Sequence, residues 1–130
     1  MILSPHNLSR REEYLDELIR NKTIAIGNAP QGTIRATSSG NKYMYYYLAP
    51  GEKGSGRYMN AADRSFAATV AQRQYDEKVI KAATREEYHL QGLIKIYESG
   101  TAEDIYDSLA PARRALVKPI FIPDDEFVSS

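Results

Sequence analysis

Lys42-Tyr43-Met44-Tyr45-Tyr46-Tyr47-Leu48 is the most strongly strand-forming stretch of this 130-residue chain. Tyrosine favours a pleated, half-buried surface, and neither glycine nor proline interrupts the run. Alternation places Tyr43, Tyr45 and Tyr47 on one face and Met44, Tyr46 and Leu48 on the other. Ser38-Ser39-Gly40-Asn41 precedes the run and Ala49-Pro50-Gly51-Glu52-Lys53-Gly54-Ser55-Gly56 follows it, both with turn composition. Residues 33–37 then read as a partner strand and 57–59 as a short third one. The expectation is a three-stranded antiparallel meander over residues 31–59.

Working outward, both flanks turn helical. Ser9 and Glu12 have the spacing of a capping box, and Tyr14, Leu15, Leu18 and Ile19 recur at helical intervals, which predicts a helix over 9–22. Asn28-Ala29-Pro30-Gln31-Gly32 is a loop. After the meander, Asn60 is a good N-cap with Asp63 favourable in the first turn. No glycine or proline occurs from Ala61 to Gln91. Apolar stripes at Phe66, Ala67, Val70 and Ala71, then at Tyr75, Val79, Ile80 and Ala83, then at Leu90, Leu93, Ile94 and Tyr97 predict a long helical segment over 60–98. That length far exceeds the average of about 11–12 residues, so a bend or break is expected between Thr84 and Gly92. Gly100 is read as a left-handed cap. Thr101 and Pro111 open two short helices, and Ile120-Phe121-Ile122 makes an edge strand or extended arm, within 101–123. The fold class expected is α+β, in one domain over 1–130.

Lys+Arg and Asp+Glu number 17 each, so binding to nucleic acid by bulk charge is not expected. The distribution is more informative. Residues 31–59 carry Arg35, Lys42, Lys53 and Arg57 against Glu52 alone, and residues 92–130 carry a net −3. No apolar run approaches the roughly 18 residues of a membrane span. The opening segment lacks the apolar core of a signal peptide. Zero cysteines exclude disulfides, thiolate zinc sites and thiol catalysis. A cytoplasmic location fits these features.

Catalytic chemistry is not expected. His6 and His89 stand far apart and form no ligand pair, so no metal site or cofactor is predicted. His89 reads as a helix-surface residue and His6 as a solvated one near the terminus. The stretch 51–57 looks like a phosphate loop but fails the GxxxxGK[ST] spacing. Asp124 and Asp125 follow Pro123, yet no acidic-x-Lys pair follows them to complete a carboxylate–metal centre. The remaining signal is the tyrosine-rich meander with its cations. Tyrosine rings stack on bases, and Arg and Lys neutralise phosphates. One face of so small a sheet packs on the long helix, and the other meets solvent or a partner. The candidate binding residues are Arg35, Lys42, Tyr43, Tyr45, Tyr47, Lys53 and Arg57.

Three stretches carry a family resemblance. They are Gln31-Gly32-Thr33-Ile34-Arg35 with Lys42-Tyr43-Met44-Tyr45-Tyr46-Tyr47; Tyr58 through Ala71-Gln72-Arg73-Gln74-Tyr75-Asp76-Glu77-Lys78-Val79; and Glu103-Asp104-Ile105-Tyr106-Asp107-Ser108-Leu109 with Arg113-Arg114-Ala115-Leu116-Val117-Lys118-Pro119-Ile120. Together, over about residues 9–128, they resemble the leading region of uncharacterised bacterial and phage proteins that carry a restriction-endonuclease-like PD-(D/E)xK domain. The hairpin and helix also resemble, more loosely, the arm-type DNA-binding modules of phage integrases. No position here matches the nuclease core, so the resemblance implies no catalytic residue. It implies a non-catalytic module that binds or positions DNA or engages a nucleic-acid-bound protein. The alternative is a small phage-type protein that binds and inhibits a host defence nuclease, in the manner of an anti-CRISPR protein.

Overall fold

The computed structural model describes residues 4–121. The chain runs α1 (Pro5–Gly27), β1 (Thr33–Ser39), β2 (Lys42–Leu48), β3 (Arg57–Met59), α2 (Arg64–Ser99), α3 (Ile105–Ser108) and α4 (Pro111–Arg114), with 3₁₀ turns at Ala61–Asp63 and Ala102–Asp104. This is the α+β class read from the sequence.

α1 begins before the expected cap. The Ser4 hydroxyl accepts from the Asn7 N–H at 3.2 Å, and Pro5 occupies the first helical position, where its missing N–H costs nothing. Ser9 therefore lies inside the helix. The far end also passes the expected stop near residue 22 and reaches Gly27. Within this last turn Ile26 is half-buried and Ile24 is exposed.

The sheet has the order β1-β2-β3, both pairs antiparallel. Ser39 pairs with Lys42, so the turn is only Gly40-Asn41, two residues shorter than the stretch read as turn. Gly40 has φ 62°, the positive value that a two-residue hairpin turn needs at its first central position. The extra pairs lengthen β1 from the expected 33–37 to Ser39.

Asn60 caps the next helical stretch as expected. Its side-chain oxygen accepts from the N–H of Ala62 at 2.9 Å and of Asp63 at 3.3 Å, and the Asp63 carboxylate accepts from the Asn60 N–H at 3.2 Å. α2 then continues for 36 residues, bent but unbroken through Gly92. At its end the Gly100 N–H donates to the Ile96 carbonyl at 2.9 Å. Gly100 has φ 131° and ψ 131°, a conformation open to glycine but not the left-handed helical cap expected.

α1 and α2 pack antiparallel: Arg11 pairs with Glu86 near one end, and Lys22 meets Asp76 near the other. Among the described residues the buried apolar side chains are Leu8 and Leu15 of α1, Met59 of β3, and Ala67, Val70, Ala83 and Ile94 of α2. Fully burying a Leu, Met or Val contributes about 1.5–3 kcal/mol. The sheet rests on the first turns of α2. Here the Ile34 N–H donates to Gln74 Oε1 at 2.8 Å, and the Tyr47 ring meets Phe66 edge-on at 5.1 Å.

The buried line of α2 differs from the apolar stripe read in the sequence. Phe66 and Tyr75 are exposed, whereas Arg73 and Asp76 are buried. Beyond α2, the Asp104 carboxylate accepts from the Thr101 N–H at 2.7 Å and starts the short helices. The expected strand or arm at 120–122 is not formed in its described part: Ile120 and Phe121 are bends, and both are exposed. Ile122 lies outside the described residues, as do Asp124, Asp125 and Glu126. Among the described residues no helix is long and apolar enough to cross a membrane.

Candidate nucleic-acid interface

The strand register sorts the sequence-predicted residues between two faces. Cross-strand partners share a face. Ile34 opposes Tyr47, which opposes Arg57, and Ala36 opposes Tyr45, which opposes Met59. Met59 is fully buried and Tyr47 contacts Phe66, so this face turns toward α2. Tyr47 is half-buried there, and its hydroxyl donates to the Gln31 carbonyl at 2.9 Å. Tyr45 is half-buried beneath the Arg64 guanidinium, 5.0 Å from the ring centre. Tyr43 shares this parity, opposite Ser38 near the hairpin turn, and is exposed. Arg57 approaches Asp63 Oδ2 at 3.8 Å while remaining largely in solvent.

The other face holds Arg35, Tyr46 and Tyr58 in one cross-strand row. The Arg35 guanidinium lies 4.4 Å from the centre of the Tyr46 ring, and its Nη2–H donates to the Ser55 carbonyl at 3.1 Å. Tyr46 and Tyr58 meet edge-to-face at 5.7 Å. Tyr58 is 54% exposed, so one ring of the row is open to a partner. Lys42 stands at the turn end of β2 and Lys53 in the β2–β3 loop; both are exposed, and neither has an ion pair among the described residues. The structure thus brings Arg35 together with Tyr46 and Tyr58, leaves Lys42 at one end of β2 and Lys53 in the loop after the other, and turns Tyr45 and Tyr47 inward.

Tyr46 and Tyr58 were not singled out by the sequence reading, although parity contains the signal. Any hairpin loop with an even number of residues places Arg35 on the face of Met44, Tyr46 and Leu48. Grouping Arg35 with Tyr43, Tyr45 and Tyr47 ignored that constraint.

Two polar clusters fix the scaffold under the sheet. Arg73 is buried on α2. Its Nε–H donates to the Pro30 carbonyl at 2.8 Å, its Nη1–H donates to Glu77 Oε1 at 2.7 Å, and its Nη2–H donates to the Gly32 carbonyl. Asp76 lies one turn on, accepting from the Gln72 amide at 2.9 Å, with Lys22 Nζ 3.6 Å away. Farther along, Arg11 and Glu86 form a two-bond pair at 2.7 and 3.1 Å. The hydrogen bond to Arg11 holds the Glu86 carboxyl below its usual range.

Next to it, Glu87 behaves in the opposite way. Its Oε2 is buried and has no hydrogen-bond partner. The adjacent Asp16 carboxyl, with which it is placed to share a proton, then burial, then the charges of Asp16 and Glu12 push its pKa up to about 7. Two ionised carboxylates have no hydrogen to share, so the pairing needs a proton. The folded value is above the unfolded one. The associated stability is therefore complete below about pH 4.5 and is lost as pH rises through about 7. Glu87→Gln is expected to flatten the fall in Tm between pH 5 and 8, raising Tm by a few degrees at the alkaline end. Thermal melts of both proteins across that range check this, and parallel curves contradict it.

Among the described residues no group of His, Cys, Asp and Glu is arranged to hold a metal. His89 is exposed on α2, its ring edge-on to Tyr88 at 5.3 Å, and His6 is exposed in the first turn of α1. Comparison with protein-family models, with curated proteins and with solved structures finds no match for this chain.

Proposed function

We propose that this chain is a non-catalytic nucleic-acid-binding module of the cytoplasm that docks through the outer face of its sheet. The resemblance to the leading region of nuclease-like proteins motivates the reading. One observation carries it: an Arg35–Tyr46–Tyr58 row faces away from the helices, with the unpaired cations of Lys42 and Lys53 near the strand ends. Lysine and arginine neutralise phosphates and release counterions, and rings supply sequence-tolerant stacking. With a net charge of zero, binding cannot come from bulk charge and must come from a local patch such as this one.

Titration of a labelled oligonucleotide at several salt concentrations tests the reading. The unmutated chain is expected to bind at low salt, with log Kd rising linearly with log salt. Lys42→Ala with Lys53→Ala weakens binding and lowers the salt slope by about two, one for each phosphate contact. No binding at about 50 mM salt overturns the reading.

The alternative, a partner protein such as a host nuclease, is favoured by a separate observation. Ile105, Val117, Ile120 and Phe121 are exposed around a shallow apolar groove of about 160 Å³, and Leu116 nearby is 85% exposed. Apolar patches of this kind mark protein contacts.

A further inference from the structure

We infer that the outer sheet face takes single-stranded nucleic acid by stacking bases on its aromatic row, and that it discriminates against duplex. The inference rests on the nucleic-acid reading above and names its substrate class.

The argument is one of complementary surfaces. Tyr58 presents an exposed ring on the edge strand β3, and Tyr46 beside it on the central strand is backed by the Arg35 guanidinium. Rings and a stacked guanidinium are planar surfaces that bind flat partners. In a duplex each base face is already covered by its neighbours, and only edges and phosphates are presented. A single strand can turn its bases out onto such planes.

The cations follow the same logic. Lys42 lies at one end of β2, and Lys53 lies in the loop that leaves the other end. β2 has seven residues, so these ends are about 20 Å apart. A sugar–phosphate chain laid along the strand meets positive charge at both ends and rings between them. Glu52 is the one acidic residue in the whole segment 31–59, so nothing else there repels a polyanion. The Arg35–Ser55 bond anchors the β2–β3 loop, and with it Lys53, beside the aromatic row.

Fluorescence anisotropy with a labelled 15-nucleotide oligothymidylate, free and annealed to oligodeoxyadenylate, tests this. The free strand is expected to bind at least tenfold more tightly than the duplex. Tyr58→Ala is expected to weaken single-strand binding by about 5- to 100-fold, and Tyr58→Phe to keep it. Ultraviolet cross-linking of the unmutated protein, mapped by mass spectrometry, should mark the peptides holding Tyr46 or Tyr58 and needs no variant to fold. Equal or tighter duplex binding, or cross-links confined to other segments, overturns the inference while leaving nucleic-acid binding intact. Failure to bind either form overturns both.

Discussion

Arg73→Met is expected to destabilise the protein by about 3–5 kcal/mol, a large fraction of the roughly 5–15 kcal/mol available to a domain of this size. The methionine keeps the length and apolar stem of arginine but removes every donor. The Pro30 and Gly32 carbonyls then lose charge-assisted bonds, each of which contributes about 1.5–3 kcal/mol. Glu77 loses its partner too, but its side chain is 48% exposed and regains water, so it adds little. Arg73→Lys should recover less than half of the loss, because an ammonium cannot span the two carbonyls and the carboxylate as a fork does. Denaturant unfolding followed by circular dichroism measures both variants. A cost below about 1 kcal/mol for the methionine variant contradicts the account.

The effect should be regional as well as global. Arg73 ties the loop between α1 and β1 to α2, and its neighbour Gln74 holds the Ile34 N–H. These bonds set where the sheet sits on the helix. Amide exchange in the methionine variant should therefore rise first in β1.

Gly32→Ala is the second large effect, expected at about 2–4 kcal/mol. Gly32 has φ 103°, a conformation that costs an L-residue heavily. A Cβ there would also lie 2.6 Å from Tyr47 Cε1 and 2.7 Å from the Leu48 carbonyl oxygen. The ring can shift only by giving up its hydroxyl bond to Gln31, and the carbonyl belongs to β2 and cannot move alone. Gly54→Ala separates the two causes. Its φ is also 103°, but a Cβ there meets nothing within 4 Å, so only the backbone strain remains. Equal losses in the two variants would rule out the steric part of the argument.

Most of the architecture was legible because local rules and global packing agree. The β2 run has one reading as a strand, and the Asn60–Asp63 cap forms as its spacing demands. The α1 boundaries were not legible. Ser9 and Glu12 offer a capping box, but Ser4-Pro5 offers an earlier start, and packing on α2 decides between them. The buried face of α2 was misread for a different reason. An apolar-stripe search assigns Arg73 to solvent, whereas the structure buries it because loop carbonyls supply its partners. Those partners are more than 40 residues away in sequence, and no local pattern announces them. For the candidate interface, composition pointed to Arg35, Lys42 and Lys53, but the rings beside Arg35 were misassigned to Tyr43, Tyr45 and Tyr47, because the strand parity that pairs Arg35 with Tyr46 and Tyr58 was not applied.

The length of α2 has a consequence for anything that grips this protein at more than one place. From Gln74, where the sheet is fastened, to Ser99 the helix rises about 37 Å along its path. The stacking row and the apolar groove near Phe121 are thus held apart like the two jaws of a caliper. A compact ligand can reach one jaw or the other. Only an extended polymer, or a protein large enough to span that gap, can engage both at once.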